Sequence, residues 1–269
     1  MWDKIKLFYK NIPATEGSLF YTDEEASGYP IGNLVDWSEA TLWRGTTERP
    51  LYLYCEAAQS MTADYLILYG HNLKSAGSAS VVLQKGQGAI ADGTYLADGS
   101  AVANGTGGYT DLHTPVTPQD DGTPVLAEFN ATSGKYFRLK IDGHSQPPQA
   151  ALLSFGEKTT LGYATGGFDP YEEKIEASRV VSRTGYLLGI YERYRERRLK
   201  LTFDYMNETT YQSIREWWKN HGLKNLFVGW NTGDHPEDVY LMRPEQELSA
   251  PFIEGGLYRR VTLSFRGRG

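Results

Sequence analysis

"DYLILYGHNLKSAG", residues 64–77, sets an apolar run directly against a polar, glycine-flanked turn. Tyr65 to Tyr69 are apolar at both parities, as expected of a strand covered on both faces rather than one. Other strand-like runs differ from it: "KIKLFY" (4–9) puts Ile5, Leu7 and Tyr9 on one face and lysines mostly on the other, a half-buried strand, and "PLYLYCE" (50–56) alternates with period 2. Further runs follow at "SASVVLQKG" (78–86), "KYFRLKIDG" (135–143) and "AALLSFGE" (150–157). Turn residues separate them, and no helical period occurs before residue 200. That rhythm predicts an antiparallel β-sandwich.

His71 is the first chemical question in that stretch. Catalysis would need a base or nucleophile beside it, and metal binding would need further ligands; the sequence supplies neither nearby. The histidine reads instead as the end of a strand, its ring nitrogens tying down the backbone of the turn. His113, His144, His221 and His235 are scattered, and no H-x-H, H-x-x-H or H-E-x-x-H occurs. Asp234, His235, Glu237 and Asp238 crowd one loop with Gly233 and Pro236, where solvated charges are ordinary. No G-x-S-x-G, P-loop or dinucleotide fingerprint appears. The expectation is no enzyme, no catalytic residue, no metal and no cofactor.

The 269 residues carry a net charge of -6, which disfavours nucleic acid as a partner. Cys55 is the only cysteine, so an internal disulfide and a cysteine zinc site are excluded. The start "MWDKIKLFYKN" lacks the apolar core of a secretory signal, and no apolar stretch reaches membrane-spanning length. A protein made in a cytoplasm is expected. "ADGTYLADGSAVANGTGG" (91–108) repeats A-D/N-G-S/T, a strong turn former. It predicts an exposed, mobile insertion over 87–110.

The character changes late in the chain. Residues 159–178 are glycine-rich and then acidic, and read as a linker or arm. "RVVSRTGYLLGIYERYRERRLKLTFDYM" (179–206) reads as a hairpin or extended ribbon. Strand alternation puts Arg193, Arg195 and Arg197 on one face and Glu192, Tyr194 and Glu196 on the other. Arginine and tyrosine favour interfaces, so these arginines with Tyr191 and Tyr194 are the candidate subunit contacts. One helix is expected over 208–221. Asn207 caps it, Glu208 suits its dipole, Met206 and Tyr211 stand at staple positions, and Gly222 stops it. Tyr211, Ile214 and Trp218 form its apolar stripe.

"NLVDWSEATLWRG", "DYLILYGHNLKSAGSASVVLQ" and "KYFRLKI…ALLSFGE" together resemble the galactose-binding-like (discoidin-like) jelly-roll over about residues 12–158. "RRLKLTFDYMNETTYQSIREWWKNHGLKNLFVGW", with the closing "YRRVTLSF", resembles the minor tail and distal tail (baseplate) proteins of long-tailed bacteriophages over about 179–269. The resemblances imply a mainly β chain: an N-terminal strand or arm (1–11), a jelly-roll (12–158), a linker (159–178) and a tail-tube-like β-sandwich with one α-helix (179–269). They imply a virion component that forms a homo-oligomeric ring, a hexamer or trimer, between tail tube and baseplate hub. The alternative is a carbohydrate-binding protein that recognises a host-surface glycan, with Trp37 and Trp43 as its contacts. A glycan-cleaving enzyme ranks behind both.

Overall fold

The computed structural model describes residues 3–22, 24–86, 108–245 and 247–268. The expected insertion falls, from 87 to 107, outside the described residues. The protein is mainly β. Its strands are β1 (Ile5–Phe8), β2 (Leu19–Tyr21), β3 (Trp43–Arg44), β4 (Leu51–Tyr69), β5 (Ser80–Gly86), β6 (Tyr109–Asp111), β7 (Val125–Asp142) and β8 (Gln149–Ala150). There follow β9 (Leu152–Gly156), β10 (Thr159–Gly162), β11 (Glu173–Val181), β12 (Leu187–Met206), helix α1 (Glu208–Asn220), β13 (Leu226–Gly229), β14 (Val239–Pro244), β15 (Phe252–Ile253) and β16 (Tyr258–Arg268). They divide into two compact units. One comprises Phe8–Lys158 with Asp234–Glu237; the other comprises the chain up to Leu7, Thr159–Gly233 and everything from Asp238 onward.

In the first unit, a sheet runs β2-β4-β7-β5-β6, with β9 also on β4 and a separate β3–β8 pair. All of these ladders are antiparallel. Period-2 alternation works as expected: Leu51, Leu53 and Cys55 face Ile141, Leu139 and Phe137 across the ladder, and all six are buried. They belong to one apolar cluster with Leu66, Leu68, Val81, Leu83 and Phe155. Two runs read separately, 50–56 and 64–70, are one strand. "AAQS" (57–60) does not end it: Glu56 pairs with Tyr136 and Met61 with Gly134, so a bulge takes up the extra residues.

The second unit is built on one sheet, β10-β1-β13-β14-β16-β12-β11, with β15 on β16. Leu199, Leu201 and Phe203 stand opposite Phe265, Leu263 and Val261, a row of buried pairs. Of the two forms expected for the N-terminal segment, it takes the strand: β1 lies inside this sheet between β10 and β13, and all four of its residues are buried. Lys6, expected to face solvent, is buried, and its Nζ donates to Asp3 Oδ2 at 2.6 Å and Thr232 Oγ1 at 2.7 Å. The stretch 159–178 is likewise no simple linker. Its ends are strands, with Thr159 and Thr160 pairing with Leu7 and Lys6, and Glu173–Ser178 pairing with β12.

The helix begins and ends where capping chemistry places it. Asn207 Oδ1 accepts from Thr210 N–H at 2.8 Å, and Gly222 takes φ +60. The buried residues, however, are Ile214 and Trp217, with Trp218 only half-buried. Positions three and four beyond Ile214 flank the same stripe, and the sheet decides between them. Trp217 lies tilted over Phe265 of β16 with ring centres 6.0 Å apart, while Trp218 rests edge-on against Trp217 at 5.7 Å. Tyr211 is covered by the Arg259 guanidinium, 4.1 Å from its ring centre. Trp217→Ala is therefore expected to cost about 3–5 kcal/mol as a large-to-small core change. Trp218→Ala should cost well under half of that, and urea melts of the two variants will compare them.

Candidate functional site

β11 and β12 form an antiparallel hairpin closed by Ser182–Tyr186. Ser182 N–H donates to Tyr186 O at 2.7 Å, Tyr186 N–H donates to Ser182 Oγ at 2.9 Å, and Gly185 supplies the left-handed φ of +84. The β12–β16 ladder begins only at Glu196. Among the described residues, Leu187–Arg195 thus has β11 alone beside it, and the hairpin leaves the sheet as a two-stranded ribbon. Opposite this stretch lie Ile175–Val181 of β11, which makes the ribbon about 24 Å long.

The root and tip of this ribbon differ in chemistry. At the root, Arg197 pairs with Glu173 at 2.7 Å and lies 4.1 Å over the Tyr240 ring, and Arg198 pairs with Glu196 at 2.7 Å. Arg195 pairs with Glu192 at 2.9 Å, a contact that pushes its pKa up. Toward the tip the apolar side chains dominate. Leu188 is 66% exposed, Ile190 59% and Tyr191 70%, with Val180, Val181, Tyr186 and Leu187 also exposed. Arg179, Arg183 and Arg193 form no ion pair among the described residues.

Strict alternation fails here. Glu176 pairs with Tyr194 and Ala177 with Glu192, so Arg193 is the extra residue of a bulge. Tyr191 and Tyr194 consequently share a face, opposite Ser178 and Glu176. Of the three arginines expected on one face, Arg195 and Arg197 share it, opposite Ile175 and Glu173, and are held by carboxylates of the ribbon itself, while the bulge takes Arg193 out of that alternation. The exposed tip aliphatics, read in the sequence only as strand formers, are the larger feature.

In the first unit the two tryptophans part company. Trp43 is 1% exposed and sits in the apolar cluster, which removes it as a ligand contact. Trp37 is half-buried with φ +60, an uncommon backbone for an aromatic residue. Its loop is braced by Asp36, whose carboxylate accepts from Ser38 N–H and Thr41 Oγ1, and by Asn33 Nδ2 donating to Leu42 O.

His71 has both ring nitrogens engaged. Nδ1 accepts from Leu73 N–H at 3.4 Å and Nε2 lies 3.0 Å from Thr123 O, which calls for the neutral Nε2–H tautomer. Burial pushes its pKa down, against the Thr123 hydrogen bond and the Asp121 and Asp120 charges. In the 234–238 loop, His235 and Glu237 pair at 3.1 Å in solvent. Asp238 is buried and accepts from the Tyr240 and Tyr171 hydroxyls. Among the described residues no group of three His, Cys, Asp or Glu is placed to hold a metal ion. Among the described residues no helix is long and apolar enough to cross a membrane.

No family model matches the chain. No curated protein matches it either. Solved structures do. Chitosan-binding module 1 of a Paenibacillus sp. IK-5 chitosanase/glucanase is 18% identical with a TM-score of 0.41, covering 55% of this chain and 100% of that one. CpGH89CBM32-5 from Clostridium perfringens, solved with GalNAc-β-1,3-galactose, is 15% identical with a TM-score of 0.39, covering 55% and 100%. A Ruminococcus gnavus GH29 fucosidase in complex with fucose is 14% identical with a TM-score of 0.42, and the match spans 56% of this chain but 28% of that protein. The structures so found are thus carbohydrate-binding modules and glycosidases; none of these three is described as a phage tail protein.

His71→Ala should lower the unfolding free energy by about 1–3 kcal/mol through the orphaned Thr123 and Leu73 groups. The depressed His71 pKa also sets a sign. Its contribution is complete above the unfolded value of about 6.5 and is lost as the pH falls toward the folded value, because the unfolded chain binds the proton first. Urea melts from pH 7.5 to 5 should show wild type losing stability on acidification, and His71→Ala losing less.

Proposed function

We propose that this chain is an assembly subunit that joins neighbouring protein through the β11–β12 ribbon. The observation that carries this is the exposed apolar tip on a two-stranded ribbon with open edges. An isolated hairpin is marginal in water, and open strand edges are normally covered, paired or blunted. Contiguous exposed apolar surface of this kind marks an interaction site. The resemblance of residues 179–269 to distal tail proteins supports the finer assignment: a ring subunit at the tip of a phage tail, in contact with tail tube and hub. Sedimentation velocity tests the assembly step. Wild type should form a discrete oligomer, whereas Leu188→Asp combined with Tyr191→Asp should remain monomeric with an unchanged circular dichroism spectrum. A wild type that stays monomeric at every concentration, alone and in purified particles, sinks the proposal.

A second reading is favoured by Trp37. An aromatic held at positive φ in a braced loop stores strain that a binding site would use, and its half-exposed ring suits the apolar face of a sugar. In this reading the first unit recognises a glycan. Trp37→Ala should then abolish binding on a glycan array while Trp43→Ala lowers stability instead; an array blank for wild type discards it.

A further inference from the structure

The second unit carries another exposed apolar patch, at the opposite end of β12 from the ribbon tip. Leu257 is 78% exposed and Tyr205 60%, with Phe252 and Tyr258 beside them also exposed. Tyr205 and Tyr258 meet edge to face at 5.8 Å. β12 reaches this end through a bulge: Phe203 pairs with Val261 and Met206 with Arg259, which leaves Asp204 and Tyr205 outside the ladder. Tyr205 there takes φ +57, a left-handed backbone that an aromatic residue seldom adopts. Its strained backbone holds the ring largely out in solvent, with its edge-to-face contact on Tyr258.

The two patches cannot satisfy one another within a chain. Leu187 and Tyr205 are separated by eighteen steps along β12, or about 60 Å of extended strand. Their charge balances differ. The tip carries Arg179, Arg183 and Arg193, which form no ion pair among the described residues. At the base, Asp204 pairs with Arg260 and Glu208 with Arg259, Arg215 adds its charge near Glu208, and Glu254 pairs with none among the described residues. Tip against tip would bring three arginines onto three arginines. Tip against base avoids that repulsion, because acids and bases there are equal in number.

Resting on the assembly reading above, we infer that the ribbon tip of one copy docks on the Tyr205–Phe252–Leu257–Tyr258 patch of the next. The contact is heterologous, since each chain uses two different surfaces, and it repeats head to tail until a ring closes. Both apolar patches leave water in the same step, and the tip arginines of two copies are not set against one another.

The experiment uses full-length chains bearing single added cysteines, which is practical because the native Cys55 is buried. Chains with Leu188→Cys are mixed with chains carrying Leu257→Cys under mild oxidation. The expected product is the mixed disulfide between the two chain types. In parallel, Tyr205→Asp with Leu257→Asp should weaken self-association at least tenfold in sedimentation velocity, at an unchanged melting temperature. Disulfides formed mainly between two Leu188→Cys chains would overturn the tip-to-base contact in favour of a symmetric one. Undiminished oligomers in the base variant would overturn it too, and both of those results leave the assembly reading standing. A wild type that never self-associates would instead remove that reading itself.

Discussion

The β12–β16 ladder is the constraint on which the second unit depends. Leu199, Leu201 and Phe203 can be buried only while Phe265, Leu263 and Val261 stand opposite them, and Trp217 of the helix closes over Phe265. Sheet, helix and ribbon therefore share one register. A slip of one residue would turn every one of those side chains to the other face, expose the core row and release the helix. The free half of β12 is held in place by the same ladder, because Leu187–Arg195 continues the strand that Leu199–Phe203 anchors.

Charge then divides the ribbon. Near the sheet, Glu173, Glu192 and Glu196 neutralise Arg197, Arg195 and Arg198, which fixes the two strands without an apolar interior. Such exposed pairs contribute only about 0–1 kcal/mol each, so they specify geometry more than they stabilise it. Farther out the carboxylates stop while the leucines, valines and tyrosines go on. The outer part of the ribbon is thus the least self-sufficient region described in this unit, and its composition suits a partner better than it suits water.

Much of this was legible in the sequence, and the failures share a cause. Alternation placed Leu51, Leu53 and Cys55 in a core because one face of that strand is buried and the period is exactly two by geometry. Capping residues placed the helix because their hydrogen bonds are local: Asn207 needs only Thr210. Bulges were not legible. Residues 57–60 are extra only relative to β7, far away in the chain, and Arg193 only relative to the register that the hairpin takes with β11. Trp217 and Trp218 are equivalent on a helical wheel until Phe265 is put beneath one of them. Lys6 looked like a solvent residue because its buried partner, Thr232, is 226 positions away. Trp37 and Trp43 read alike in sequence, and only the cluster around Trp43 tells them apart. The ribbon was visible as length and β-propensity, but its exposure was not, since apolar residues in strands are ordinarily read as core.

The pairing of Leu7 with Thr159 has a consequence for how the chain is made. The first unit enters and leaves the second unit's sheet at adjacent positions of one antiparallel ladder, so it is an insertion between two neighbouring strands. On a ribosome, β1 emerges ahead of both its neighbours in the sheet, with β10 about 150 residues later and β13 later still. The inserted unit has all but a four-residue loop of its own sequence by then and can fold while β1 waits. Its compaction draws residues 8 and 158 together, which turns the closing of β1 onto β10 from a search over a long chain into a local one. The cost of joining these two strands is therefore set by the distance between the ends of the inserted unit and not by the number of residues in it.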